Sequence, residues 1–510
     1  MTKRTTITAT FAATATLAGL VIVGAGTSAG ATTTPVTHTL AGSNVPFTST
    51  TAATGTVAAA TKLTIQLWLT PKTSAAEAYA TAVSTPSSSS YGKYLSPSEY
   101  TARFGATAAE ASATEAWLKS EGFTGINTDA QRDYVTATAP VSAIQTAFKT
   151  TMRYYQSSAN ATGGRYKLYA NSSAVTLPSS LSGTVLGITG LNNAEPILPL
   201  DKLDKTAVKP AASGPTNPCS NYYGQYTAKP GYPNASTTYP TVACGYSAKQ
   251  LRSAYDANSV NTGKGETVAL VELGLTPGMF ATLTDYANDN GLPAPKPSQY
   301  KELNIGNVSF AACGDDFYEE ESLDVEATYA MAPGSTEYVI GGDGCDTGYS
   351  GLQGLFDADL AVINGNGKTP LANIASNSWE GGTESQGAAI TNIEHAYLVK
   401  AAAEGVGEYF SAGDGSGVET PSSDPYAISV GGTTLGIGKT GNRLFETGWS
   451  TDEVVDYDNA WTDFGEQGAS GGGQSEIWSQ PAYQKGVVPA SLATAPGNRG
   501  GLVRSVPDIS

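Results

Sequence analysis

Thr267-Val268-Ala269-Leu270-Val271-Glu272-Leu273 reads as a short apolar strand with one carboxylate, Glu272, near its end. A helical segment over 278–290 follows, and the alternation then repeats. A helix is expected over 317–331, a strand over 337–340, a helix over 352–364, a strand over 371–376 and a long helix over 388–403. Strands at 407–411 and 426–430 complete the series. Short apolar strands alternating with helices imply an α/β unit with a parallel, doubly wound sheet, whose working edge lies at the carboxyl ends of its strands. Glu272 sits at one such end, and Gly413-Asp414 lies just beyond another.

This unit opens near Cys219, and a helix over 248–255 leads into its first strand. Upstream, a strand over 62–69, helices over 74–83, 97–104 and 108–122, a strand over 134–139, a helix over 141–152 and strands near 166–169 make a smaller module, spanning 35–190. Residues 191–218 are rich in proline and poor in periodicity, which marks a linker. At the amino end, Lys3 and Arg4 precede an apolar stretch over 11–23 and the small residues Ser28-Ala29-Gly30-Ala31. That pattern predicts a secretory signal peptide over 1–31, cleaved after Ala31. No later run is long and apolar enough to span a bilayer, so a soluble, secreted, extracellular protein is expected.

Length fits this division, since 510 residues exceed one core of ordinary size. The formal net charge of −17 argues against nucleic acid and against an anionic membrane face as partners. It is compatible with work at low pH, where many of the carboxylates are neutral. Of the three ways to pair four cysteines, Cys219 with Cys244 and Cys313 with Cys345 close the most local loops. Zinc is disfavoured, because there is no C-x-x-C spacing and the chain has only two histidines.

Glu320 and Asp324 stand four residues apart in the 317–331 helix. At about 100° per residue, Leu323, Ala327 and Met331 share a face and the two carboxylates fall between them. Glu319 and Glu326 flank that stripe, and Glu321 points well away. Two carboxylates on an apolar face are costly to bury unless they share a proton and do chemistry. The competing reading is a solvated acidic face. A glycosidase is disfavoured, since its two acids must flank a sugar from opposite sides. A Ser-His-Asp triad needs a histidine, and His395 is the one in this unit; it lies off the Ile390/Ile393/Tyr397 face of its helix and reads as an ordinary surface or boundary residue. A hydrolase built here must use a carboxylate as its base, which suits acidic conditions.

The ordered motifs of the chain resemble the sedolisins, the serine-carboxyl or kumamolisin-type peptidases. Tyr91-Gly92-Lys93-Tyr94-Leu95-Ser96-Pro97 through Arg103-Phe104-Gly105 is similar to their activation domain, and Gln250-Leu251-Arg252-Ser253-Ala254-Tyr255 to the start of their catalytic domain. Glu320-Glu321-Ser322-Leu323-Asp324 resembles the family's E-x-x-L-D helix, Ser376-Asn377-Ser378-Trp379 its S-x-S-W strand, and Ser411-Ala412-Gly413-Asp414 its S-x-G-D segment. Pro425-Tyr426 to Val430-Gly431-Gly432-Thr433, Gly448-Trp449-Ser450 and Ser470-Gly471-Gly472-Gly473 follow in the family's order.

The resemblance implies a subtilisin-like catalytic sheet preceded by a small ferredoxin-like prodomain. It implies a Ser-Glu-Asp triad with Glu320 as base and Asp324 as its partner, and Asp414 as a protonated donor in the oxyanion hole. Glu272, with Trp379 nearby, is implied to support that network; a strand-end carboxylate facing solvent is the alternative for Glu272, and a turn-forming aspartate for Asp414. Protein or peptide substrates, a monomer, and the prodomain as intramolecular inhibitor follow from the same likeness. The family's nucleophilic serine lies in a Gly-Thr-Ser segment downstream of R-x-x-P-D. Here that segment is Arg504-Ser505-Val506-Pro507-Asp508, and Gly26-Thr27-Ser28 in the signal peptide is the one Gly-Thr-Ser in the sequence. The nucleophile and the family's calcium loop are therefore expected beyond Ser510, and the alternative is a non-catalytic secreted remnant that binds or inhibits. Glu380 stands after Trp379 where the family has glycine, and Gly415-Ser416-Gly417 follows Asp414 in place of Ser-Gly. Asn160, Asn171, Asn234 and Asn307 carry the N-x-S/T pattern of glycan acceptors.

Overall fold

A computed structural model describes residues 36–156, 167–193, 219–228, 239–257, 261–306, 318–343, 351–384, 387–415, 417–457, 460–495 and 500–510. The expected signal peptide, most of the expected linker, Cys313 and Cys345, and Asn160, Asn234 and Asn307 lie outside the described residues. The other two cysteines, Cys219 and Cys244, form a disulfide.

The amino-terminal module runs β1 (Lys62–Leu69), α1 (Thr73–Ser84), α2 (Pro97–Arg103), α3 (Ala108–Ser120), β2 (Thr124–Thr128), β3 (Tyr134–Pro140), α4 (Val141–Phe148) and β4 (Val185–Thr189). Capping boxes start two of the helices: Ser96 with Glu99 for α2 and Thr107 with Glu110 for α3. The strands form an antiparallel sheet in the order β2-β3-β1-β4, which is the ferredoxin-like arrangement. The helix expected over 141–152 stops at Phe148, because Lys149 takes a left-handed conformation (φ 52°) and the chain enters a strand at Met152. In β1 the odd residues Leu63, Ile65, Leu67 and Leu69 enter this module's core, and the even residues Gln66 and Trp68 are buried on the opposite face.

The second module runs β5 (Thr267–Leu273), α5 (Met279–Asp289), β6 (Tyr300–Asn304), α6 (Tyr318–Met331), β7 (Thr336–Gly342), α7 (Gly351–Asn364), β8 (Ile374–Asn377), α8 (Ala388–Glu404), β9 (Gly407–Ser411) and β10 (Ile428–Val430). These six strands make one all-parallel sheet in the order β6-β7-β5-β8-β9-β10. Period-2 alternation sends Leu270 to one side, with Met279, Leu283, Val325 and Tyr329, and Ala269, Val271 and Leu273 to the other, with Phe356, Ile393 and Phe410. Helices therefore cover both faces. Strand order reverses beside β5, so β5 and β8 frame the crevice where a doubly wound sheet binds and reacts.

The even face of β1 is dry because α7 and α8 of the second module pack on it. Trp68 meets Phe356 edge to face with centroids 5.7 Å apart, and Gln66 Nε2 donates to both oxygens of Asp357 at 2.8 and 3.0 Å. Lys400, 1% exposed on α8, donates from Nζ to Asp133 at 2.6 and 2.8 Å, and Asn364 Nδ2 donates to the same carboxylate at 3.0 Å. His395 corrects the expectation of a surface residue. It is buried, its Nδ1 lies 2.7 Å from Asp424 Oδ2 and its Nε2 2.9 Å from Glu77 Oε1, and Trp478 stacks on its ring. Burial works against the charge on this imidazole, but Asp424 and Glu77 outweigh it and hold it protonated up to about 9.

Asp133→Asn leaves Lys400 as a buried charge without its counter-ion. The cost of breaking such a pair is roughly 3–5 kcal/mol. We expect the two modules to part at markedly lower denaturant in this variant, read by limited proteolysis of the 36–193 module; unchanged cleavage kinetics would show that the pair contributes nothing to docking.

Candidate active site

Helix α6 covers the expected stretch, but its faces are the reverse of the expected ones. Leu323 is 58% exposed and Ala327 is exposed, while Glu321, Val325 and Tyr329 form the buried stripe that packs on α5 and the sheet. An apolar stripe of Leu323, Ala327 and Met331 is thus not the core face. Polar side chains hold the other one because Glu321 has a partner there: its Oε2 accepts the backbone N–H of Thr276 at 2.7 Å. Burial nevertheless pushes Glu321 up to about 7. Glu320 is also buried, at 9% exposure, and Asp324 is half-buried.

At the crevice between β5 and β8 three elements meet. Glu272 closes β5, Asp324 comes from α6, and Ser378 follows β8. Ser378 Oγ lies 2.9 Å from each oxygen of Asp324 and donates to that carboxylate. Glu272 is a second hydrogen-bond partner of Asp324. Burial, then the charges of Asp324, Glu321 and Glu320, drive Glu272 well above the ordinary carboxyl range. Asp324 is raised by burial as well, against the lowering effect of its bonds to Ser378 and Glu272. Glu272 is accordingly the neutral acid of the pair, donating to an Asp324 carboxylate that also accepts from Ser378. Asp324 thus has a carboxyl partner on β5 that the helix pattern did not indicate. Glu320 stands close enough for its charge to raise Glu272.

Asp414 follows β9, the strand next to β8. Gly413 before it has φ 99°, a conformation that glycine alone takes without strain, and a Cβ there meets Glu380 Oε2 at 3.2 Å. The Asp414 carbonyl accepts from Ala469 N at 3.0 Å; burial first and the charge of Glu419 second raise its carboxyl above the ordinary range. Trp379 turns out to belong to a different network. Its indole N–H donates to Asn377 Oδ1 at 3.0 Å, and Asn377 Nδ2 donates to Glu408 Oε2 at 3.0 Å. Its ring packs against Phe410 in the core. Ser378 is the residue to which the sequence assigned no role, although it stands in the quoted S-x-S-W strand; only its bond to Asp324 singles it out. Among the described residues, no group of three or more His, Cys, Asp and Glu side chains is arranged to hold a metal ion.

Residues 49–194 match the pro-kumamolisin activation domain. The chain is 26% identical over 453 residues to sedolisin from Pseudomonas sp. (strain 101), covering 84% of this chain and 66% of that protein. It is 24% identical over 462 residues to xanthomonalisin from Xanthomonas sp. (strain T-22), covering 83% and 51% respectively. Kumamolisin from Bacillus sp. (strain MN-32) is 25% identical over 387 residues, 73% of this chain and 59% of that one. The chain is a homologue of the sedolisins. It spans between about half and two thirds of the length of these relatives. For a sedolisin homologue, the Glu-x-x-x-Asp of α6, the segment after β8 and the aspartate after β9 stand at neighbouring strand ends of one parallel sheet. Among the described residues, no helix is long and apolar enough to cross a membrane. Asn171 is 1% exposed, so the folded chain does not offer it as a glycan acceptor.

Proposed function

We propose that this chain carries the activation domain and the base-bearing part of a secreted serine-type endopeptidase that works in acid and is made as a zymogen. The observation that supports this best is the bonded group Glu272–Asp324–Ser378, with Glu320 beside it, at the crevice where the strand order reverses. Glu320 takes the proton of an attacking serine hydroxyl, which is a poor nucleophile until it loses that proton. Asp324, raised to about 6, keeps a proton in acid beside the base and is held in place by Ser378 and Glu272. Asp414, whose carboxyl is raised by burial and then by the charge of Glu419, serves in its protonated form as donor to the oxyanion that develops on the peptide carbonyl.

The 36–193 module acts as the intramolecular inhibitor. Its helix α1 and the turn before β3 close on α8 through His395–Glu77 and Lys400–Asp133. Both pairs are charge contacts across the interface, so losing them would weaken the closure. Calcium, expected from the family likeness, enters none of these steps.

The expressed protein, assayed on a denatured protein substrate near pH 4 and weighed by mass spectrometry, tests the reading. Acid-dependent peptide hydrolysis and cleavage between the modules support it. A protein that hydrolyses nothing at any pH favours the alternative, a non-catalytic secreted protein that binds or inhibits. In the active protein, Asp414→Ala is expected to lower kcat roughly 10²–10³-fold, the usual cost of one oxyanion donor, with KM little changed. An effect on KM alone would move Asp414 out of the oxyanion hole.

A further inference from the structure

A cavity of about 330 Å³ lies between the two modules, beside Asp414. Its floor belongs to the second module. There the ribbon Gly382–Thr383 pairs with Glu419–Thr420, and Gly381 N donates to Thr420 O at 2.7 Å. That pairing brings Glu380 and Glu419 together at one end of the floor. Residues 42–47 and Asn171 of the first module close the cavity from above, with Ile188, Leu191 and Ile390 as apolar wall.

Among the described residues, three oxygens of this lining, Glu380 Oε2, Glu419 Oε2 and Asn171 Oδ1, are buried and accept from no donor, and Asn171 itself is 1% exposed. A side chain with only acceptors left over is satisfied by a ligand that brings N–H donors, and two carboxyls select one that is positively charged. An anion is repelled. Ile390, on the second module itself, offers an apolar contact to a methylene stem behind the charged head. Burial first, then the bond to Glu419 and the charges of Glu419 and Asp414, hold Glu380 neutral up to about 9, so the empty pair keeps a proton that an entering cation replaces. Glu380 is within reach of Gly413, one residue before Asp414. Whatever fills the floor therefore lies next to the proposed oxyanion donor.

We propose that Glu380 and Glu419 are a specificity-determining pair that receives a cationic side chain, lysine or arginine, of a bound peptide. That the ligand is a peptide rests on the proposed peptidase reading; that it is a cation rests on the cavity alone. The position where the family has glycine here carries the carboxyl that makes the floor acidic.

Titration calorimetry of the full chain with benzamidine at pH 6.5 tests the cation site without any turnover. One saturable site is expected, with close to one proton released per ligand bound, read from the dependence of the heat on buffer. Glu380→Gln and Glu419→Gln should each weaken binding roughly 10- to 100-fold, the range for a lost charge-assisted bond, at an unchanged unfolding temperature. Neutral benzamide should bind at least as weakly as benzamidine binds the variants. Absence of saturable benzamidine binding, equal binding of benzamide, or binding that neither variant alters would each overturn the proposal. Hydrolysis plays no part in this readout, so a cation site in a protein without peptidase activity sinks the functional reading alone.

Discussion

Thermal stability falls as pH rises from 5 to 8, with the unfolding temperature dropping by roughly 10 °C or more. The second module buries carboxyls that are poorly compensated. Among the described residues, both carboxylate oxygens of Glu337 and Glu404 lack a hydrogen-bond partner, as does one oxygen each of Glu408, Glu321 and Glu272. Burial pushes Glu337, Glu404 and Glu408 up to about 8 and Glu321 to about 7, and it raises Asp359 well above its ordinary range, with the charge of Glu408 adding to it. In the unfolded chain such groups titrate near 4.3. Between those limits the native protein binds more protons than the unfolded chain, so stability is fully present below about pH 4 and is lost as pH passes through 7 and 8. Each group contributes at most about 1.4 kcal/mol per pH unit, and four titrating together reach several kcal/mol per unit.

His395 adds in the same direction: its raised value means stability that is complete below about 6.5 and lost towards 9. Replacing Glu337, Glu404 and Glu408 together by Gln removes the titration and should flatten the pH profile. A wild-type unfolding temperature that is level or rising between pH 5 and 8 would rule the account out.

Glu320→Gln lowers kcat near pH 4 by roughly 10²–10⁴-fold in the active protein, the usual contribution of a general base. Glutamine keeps the size of the side chain but accepts no proton, so substrate binding and KM should change little. Asp324→Asn should cost a similar factor, and the double variant little more than either single one, because the two act as a unit. Glu272 behaves differently. As the neutral donor to Asp324, it is replaceable by Gln with most activity retained, whereas Glu272→Leu removes the donor and leaves Asp324 short of a partner. Full activity in Glu320→Gln would remove this carboxylate from the mechanism, and equal losses in Glu272→Gln and Glu272→Leu would remove the donor role.

Much of this molecule is written locally. Strand β5 with its terminal Glu272, the carboxylate pair on α6 and the glycine before Asp414 are all visible in short windows, because period-2 and 3.6-residue repeats are set by neighbours along the chain. The order of the motifs placed them at neighbouring strand ends of one sheet. Side-chain orientation was less legible. Leu323 and Ala327 look like a core stripe and face outward, and the acidic-looking side of α6 packs inward because Thr276 supplies a backbone donor from another element.

Sequence alone determined most of the strand–helix alternation, the doubly wound α/β class and the carboxylates that make an acid-working base conceivable, while the strands over 124–128, 185–189 and 300–304 emerged only in the structure. Tertiary structure decided which partners those carboxylates have: Glu272 for Asp324, Glu419 for Glu380, Asp133 for Lys400 and Asp424 for His395. The reason is that burial of a charge is a property of the layer packed over it. The layer over α8 comes from a sheet more than two hundred residues upstream for Asp133 and Lys400, a distance that no local pattern spans.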